Sequence, residues 1–310
     1  MRDNGVLSVT LYCVEGNVTM EESTPQLAKL YFVSDGKEPM KIWGECKEAQ
    51  KDWSKETEEE AERIKIFLKE QAVKVIWLSN KLEDTLPQGT DEIIAKELLS
   101  KEYDVDLNES NLLLVDDSLN ASGRQLSQHL KAFKLLCQKR EGSKALPELS
   151  EELIKQVHFV MMQGLKTEQG KMVNAGLYRQ ISVHAGQHVY PSHECIPTSM
   201  EEIVKEYNRK ASQPHDMYQL ASWLHFNVVS LHPFEDGNGR ISRLLWCYSL
   251  MRDGLPFPAV LTSGHKRSQS HLVQCLQRDR KCVISNHPHL TTLTVVSVCQ
   301  AWKDYFSTVI

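Results

Sequence analysis

Between His232 and Arg243 the chain reads His-Pro-Phe-Glu-Asp-Gly-Asn-Gly-Arg-Ile-Ser-Arg. His232 has an unperturbed pKa of about 6.5, so it can accept a proton at neutral pH. Asp236 supplies the hard oxygen that Mg2+ takes when one carboxylate and substrate phosphates hold it together. Gly237 and Gly239 let the backbone bend and come close to a ligand. A loop feeding a helix also presents unpaired N–H groups to an anion. Arg240 and Arg243, on the first turn of that helix, add charge-assisted contacts. Each part alone has an ordinary explanation: a capping histidine, a turn, an arginine pair facing solvent. In this order and this close together they describe a hydroxyl attacking a nucleotide phosphate. His232 would remove the proton, Mg2+ on Asp236 would offset charge, and the loop with its arginines would hold the phosphates. Phe234 is read as packing under the loop, and Glu235 as solvated.

Such a loop needs a helix on each side. Upstream, Leu220, Trp223, Leu224, Val228 and Leu231 recur at helical spacing, and downstream Ile241, Leu244, Leu245 and Tyr248 do the same. Pro233 and the two glycines end the first helix, and Gly254 closes the second. Earlier helices are expected from about residue 52, over 91–99, along Leu126, Leu130, Phe133 and Cys137, and after Ser150 as N-cap. Residues 170–197 carry Gly170, Gly176, Gly186 and Pro191 between short β-prone pieces, which predicts a hairpin. Further helices are expected from near Ser199, over Leu272–Leu276 and over Leu293–Phe306. Near the N-terminus, residues 6–14 and 29–33 alternate as strands do. The polar stretch 101–111 suggests a boundary near residue 100. The organisation expected is therefore an N-terminal α/β region over 1–100 and a helical catalytic domain over 101–310.

The chain has 310 residues, a net charge of −5, 41% hydrophobic and 25% charged residues, ordinary values for a globular protein. The acidic balance argues against broad nucleic-acid binding. No apolar run is long enough to span a bilayer and no signal-peptide core follows the N-terminus, so a cytoplasmic or nuclear location without membrane attachment is expected. The 8 cysteines are scattered without a Cys-x-x-Cys pair and read as free thiols.

The stretch at 232–243 resembles the signature of the Fic (filamentation induced by cAMP) family, His-x-Phe-x-Asp/Glu-Gly-Asn-Gly-Arg-x-x-Arg, at every specified position. Ala175-Gly176-Leu177-Tyr178-Arg179 is similar to that family's Ala-Gly-x-aromatic-Arg segment. Val183 to Pro191, with Gly186 and His188, resembles its hairpin flap, which clamps the target chain. His225 matches a histidine common in the helix before the signature. The likeness runs over roughly residues 110–285. It implies a mainly α fold, a helical core with a β-hairpin flap, and transfer of AMP from ATP to a Ser, Thr or Tyr hydroxyl of a protein. By position it makes His232 the base, Asp236 the Mg2+ ligand, and Gly237, Asn238, Gly239, Arg240 and Arg243 the ATP-phosphate site. Arg243 would meet the distal phosphates. The resemblance leaves a homodimer open and does not identify the protein substrate.

Two segments depart from the family pattern. Many relatives carry a self-inhibitory helix reading Ser/Thr-x-x-x-Glu-Gly/Asn, whose Glu pairs with the second signature Arg. At the matching distance this chain has Ser118 to Gly123, with Ser122 where the Glu would stand. That alignment implies an unrestrained Arg243, with Ser118 and Ser122 as the regulatory positions. It also disfavours removal of AMP, which in relatives leans on that Glu. A literal Glu15-Gly16-Asn17 is an alternative inhibitor. The adenine-cradling Tyr and Asn of relatives are replaced around Ser270, His271 and Arg278. That leaves open another nucleotide, another phosphate-linked transfer, or a binding module without turnover.

Overall fold

The computed structural model describes residues 58–86, 91–116, 118–137, 146–167, 170–185, 188–261, 266–282 and 287–309. The candidate strands at 6–14 and 29–33, the Glu15-Gly16-Asn17 segment and Gly186 lie outside them. Ten helices are described: α1 Glu58–Leu82, α2 Glu92–Tyr103, the short α3 Glu109–Leu112, α4 Ala121–Cys137, α5 Glu151–Met162, α6 Ile196–Ala211, α7 Met217–Leu231, α8 Asn238–Arg252, α9 Lys266–Asp279 and α10 Pro288–Thr308. The described sheet is a two-stranded antiparallel hairpin, β1 His184–Ala185 with β2 His188–Val189, pairing His184 with Val189 and Ala185 with His188. The mainly α fold with a hairpin in the segment 170–197 is what the sequence predicts.

Helix α8 is the centre of the molecule. Every residue from Ile241 to Leu250 is buried, the polar Ser242, Arg243 and Ser249 included. It packs against α7, α4 and α1, while α10 closes over α7 and α9. The apolar faces read from the sequence do the covering. Leu220, Leu224, Val228 and Leu231 of α7 are buried, as are Leu126, Leu130, Phe133 and Cys137 of α4 and Leu153, Val157 and Met161 of α5.

Caps set where these helices start. Ser150 Oγ accepts from Leu153 N at 3.1 Å, opening α5. Asp216 does the same for α7, from Tyr218 N and Gln219 N at 2.9 Å each. Asp91 opens α2, which runs on to Tyr103 through residues read as loop. Lys134 of α4 holds that end, donating to Tyr103 O at 2.8 Å and to Val105 O. Residues 55–310 form one compact unit, so the boundary anticipated near residue 100 falls inside it.

The six cysteines among the described residues are free of disulfides. Among the same residues no helix is long and apolar enough to cross a membrane.

Candidate active site

The loop between α7 and α8 is shaped by two left-handed residues. His232 closes α7 at φ 54° and Gly237 opens α8 at φ 75°. Glycine at 237 is required twice, because an added Cβ would also meet Met162 Sδ at 2.9 Å. Phe234 is fully buried, as read from the sequence, and its ring lies flat on His158 at 3.7 Å.

Asn238 has a different task from the one expected. Its Oδ1 accepts from Phe234 N and its Nδ2 donates to Phe234 O, each at 2.9 Å. The side chain therefore braces the loop and leaves only its backbone N–H to face an anion. Glu235 is not solvated either: it accepts from Asn174 Nδ2 at 2.9 Å and lies 3.6 Å from Lys171. It anchors the segment leading to the hairpin.

His158, absent from the sequence reading, locks this loop to α5. Gly176 N donates to its Nδ1 at 2.8 Å, so the ring proton sits on Nε2, which donates to Asp236 O at 3.0 Å. Burial first, then Arg240, lowers the His158 pKa to about 4, against the opposing Asp236 carbonyl. His158→Phe keeps the ring stack and loses both bonds, a cost of about 1–3 kcal/mol at neutral pH. Between about pH 6.5 and pH 4 the unfolded chain binds the proton that the fold excludes, so stability rises with pH there. The wild-type advantage over His158→Phe is then full above that window and shrinks as pH falls through it. Urea midpoints of both proteins across the window check this; a gap that stays constant contradicts it.

Arg179 holds His232 and the hairpin together. It is fully buried, and its guanidinium donates to His232 O, Ile181 O and Pro191 O at 2.7 Å each. Its own N–H bonds Pro233 O at 3.0 Å. The end of α7 and both arms of the flap thus share one cation.

His232 is half-buried under the flap, its ring stacked on Tyr190 at 4.0 Å. Burial, then Arg179, pushes its pKa down to about 4, with the Val229 carbonyl, Glu83 and Asp236 opposing. The imidazole is therefore neutral at pH 7, the form that accepts a proton. His225 is buried between α7 and α8 and is also held at about 4, mainly by burial. Of the flap residues, His188 packs edge-on against Tyr190 at 4.8 Å. Val183 O accepts from Tyr190 N at 3.2 Å.

The side lined by Arg240 and Arg243 is occupied by a carboxylate of the chain itself. Arg243 donates to Ser79 Oγ at 2.9 Å and Ser79 O at 3.0 Å, and pairs with Glu83 Oε1 at 2.7 Å. The Glu83 carboxylate also fills the space in front of Gly239, where an added Cβ would collide with it. Arg240, almost fully buried, reaches Gln125 Oε1 at 3.3 Å and Asp236 at 3.6 Å. Burial raises the Glu83 pKa, but Arg243, followed by Arg240 and His232, outweighs it and the net shift is downward.

These contacts correct the expectation that Arg243 lacks a Glu. Ser118 is an exposed turn residue bonded to Asp116, and Ser122 is buried at the start of α4. The acidic partner comes from the end of α1, where Ser79-Asn80-Lys81-Leu82-Glu83-Asp84 carries the Ser-x-x-x-Glu spacing. Asp84 stands where the pattern has Gly or Asn. Its φ of 49° gives the reason, since the left-handed region favours those residues and tolerates Asp. Asn80 fixes this corner by donating to His129 Nδ1 at 2.8 Å and to Ile76 O at 2.8 Å. The Ser-x-x-x-Glu spacing is legible in the sequence, but it lies farther upstream of Arg243 than Ser118 to Gly123.

Asp236 is 44% exposed at the rim, and the contacts made by its side chain, Gly237 N and Arg240, fall on Oδ1. A single accessible carboxylate beside an anion site fits the donor set of a phosphate-bound Mg2+. The positions around Ser270, His271 and Arg278 fall on α9.

The Fic/DOC family profile matches residues 148–250. A Fido domain-containing protein of Dictyostelium discoideum is 38% identical over 97 residues, 31% of this chain and 68% of that protein. The protein adenylyltransferase Fic of Aedes aegypti is 32% identical over 102 residues, 33% of this chain and 20% of the relative. The match therefore spans about a fifth of the adenylyltransferases of this kind. Among solved structures, a Fic domain-containing signaling protein from Bacteroides thetaiotaomicron has a TM-score of 0.63 at 21% identity, over 86% of this chain and 97% of that one. Fic-1 from C. elegans has a TM-score of 0.55 at 18% identity, over 86% of this chain and 71% of that one. At such identities the likeness is one of fold.

Proposed function

The chain belongs to the Fic/DOC family, and on that premise we propose that it is a protein adenylyltransferase, moving AMP from ATP to a Ser, Thr or Tyr hydroxyl of a target protein. The observation that carries the reading is the placement of an anion, the Glu83 carboxylate, on Arg243 and against Gly239, beside the neutral His232. A cradle that holds a carboxylate there suits phosphate oxygens of the same charge and reach.

The reaction uses this chain's groups in turn. His232 takes the proton of the attacking hydroxyl, and its basicity rises when polyphosphate charge enters next to it. The hydroxyl oxygen bonds the α-phosphorus, the bond from that phosphorus to the bridging oxygen breaks, and pyrophosphate leaves. Arg240, Arg243 and the N–H groups of 237–239 hold phosphate oxygens in line. Tyr190 and the flap backbone position the target beside His232. Asp236 would hold Mg2+, which supplies charge neutralisation on the phosphates.

Intact-mass spectrometry after incubation with Mg2+ and ATP, GTP or CTP in separate reactions tests the assignment. The expected product is an added AMP on the protein itself or on a co-incubated target, with ATP alone. Added GMP or CMP in place of AMP overturns the choice of donor. No adduct with any nucleotide, from a Glu83→Ala variant that binds them, overturns the transferase reading.

A second reading gains from Glu83. Removal of AMP, which in relatives leans on the Glu of the inhibitory helix, becomes feasible with Glu83 in that position. If removal is the main activity, Glu83→Ala loses it; if addition is, the same variant gains activity.

A further inference from the structure

The junction of α9 and α10 gathers chemistry that the transfer reaction does not use. Asp279, Cys282, His287 and His289 fall within 11 residues of the sequence. The ligand atoms of Asp279, Cys282 and His289 all lie within 4.8 Å of one another. The Asp279 carboxylate is almost fully buried, and it accepts from His289 Nδ1 at 2.7 Å, His289 N at 3.1 Å and Leu290 N at 2.9 Å. It thus caps α10 and orients the His289 ring at the same time. The carboxylate only accepts, so the His289 proton sits on Nδ1 in the metal-free chain, and an ion shared by Asp279 and His289 takes the place of that proton, which moves to Nε2.

A fourth group points to a ligand independently. His287 is 8% exposed, and its buried Nδ1 has no hydrogen-bond partner among the described residues. Its ring is held flat on Phe226 at 3.9 Å, in a backbone conformation of φ 45°. With Asp279 and Cys282 it lines a cavity of about 510 Å3 that His188 and Tyr190 of the flap also border. A buried imidazole nitrogen without a partner is costly, and coordination would relieve that cost.

We propose that this junction is a Zn2+ site, with the Cys282 thiolate, the His289 imidazole and the Asp279 carboxylate as ligands and His287 in the fourth position. One sulfur, two imidazoles and one carboxylate suit Zn2+ and not Mg2+, which takes hard oxygen only. Two anionic ligands neutralise the ion, so the half-buried site carries no net charge. Zinc bonds of about 2.0–2.3 Å set tetrahedral ligands roughly 3.3–3.8 Å apart, so the Asp279, Cys282 and His289 atoms close by about 1–1.5 Å at most, and His287, outside that group, turns in from the cavity wall. Binding releases the Cys282 thiol proton to solvent, and no redox change occurs. The ion would staple the end of α9 to the start of α10 below the flap that covers His232.

The test uses the untagged full chain, stripped with chelator and exchanged into metal-free buffer. Co2+ is the optical probe. One Co2+ per chain is expected, with a thiolate-to-cobalt charge-transfer band that Zn2+ abolishes. Cys282→Ser should lose the band, and Cys282→Ser and His289→Ala should each weaken Zn2+ binding by roughly 10–100-fold. Cys195→Ser, at an exposed thiol, should change neither. On the wild-type chain, Zn2+ should protect Cys282 from alkylation, read by peptide mass spectrometry, so the outcome does not depend on how the variants fold. Absence of the band, its survival in Cys282→Ser, or equal alkylation of Cys282 with and without Zn2+ overturns the proposal. None of these readouts involves nucleotide, so the transferase reading stands or falls separately.

Discussion

His232→Ala lowers AMP transfer by roughly 10²–10⁴-fold, the range for loss of a positioned general base. The measurement belongs in a Glu83→Ala background, where the cradle is open and the parent rate is highest. His232 sits in the left-handed region, φ 54°, as the cap of α7. An alanine there adds backbone strain to the loss of the base, whereas asparagine tolerates that conformation. His232→Asn therefore separates the two effects: it keeps the cap and still loses the rate. Nucleotide binding, which depends on Arg240, Arg243 and the loop N–H groups, should change little in either variant. Transfer within about threefold of the parent in both variants would remove His232 from the mechanism, since the loss expected of a general base starts near 10²-fold.

Glu83→Ala raises nucleotide affinity and autolabelling by roughly 5–30-fold. The estimate is one charge-assisted contact of about 1–2 kcal/mol, scaled down because the carboxylate is partly exposed. Glu83→Gln should give a smaller gain, because it removes the charge and keeps the obstruction in front of Gly239. The variants also carry a signature in stability. Without Glu83, Ser79 is the hydrogen-bond partner left to the buried Arg243 among the described residues. The nucleotide-free chain should then melt lower, and Mg-ATP should restore more of that loss than it adds to the wild type. Equal nucleotide affinity and equal labelling in wild type and Glu83→Ala would show that the Arg243 pair is not a brake. A loss of AMP removal in the same variant supports the second reading.

The signature from His232 to Arg243 was legible because its parts are local. A base, a carboxylate, a glycine turn and two arginines in one loop and one helical turn meet wherever the chain goes. The helices beside it were legible for the same reason: their apolar spacing repeats over short windows, and Ser150 marks its own cap. Asn238 shows the limit of such reading. Its place in the motif suggested a ligand contact, yet the fold uses its amide to close the loop on Phe234.

What the sequence determined by itself is the chemistry available at 232–243, the family, and the mainly helical fold with its hairpin. Only the tertiary structure decided which distant groups complete the site. Glu83 reaches Arg243, His158 joins Gly176 to Asp236, Arg179 gathers carbonyls from three segments, and the neutral state of His232 follows from burial and charge. The physical reason is range. Periodicity, caps and turn chemistry act over a few residues, whereas a buried cation or imidazole takes its partners from whatever backbone the packed core brings within hydrogen-bond distance. A Ser-x-x-x-Glu spacing is common in any helix, and here it meets Arg243 because α1 packs its last turn against α8.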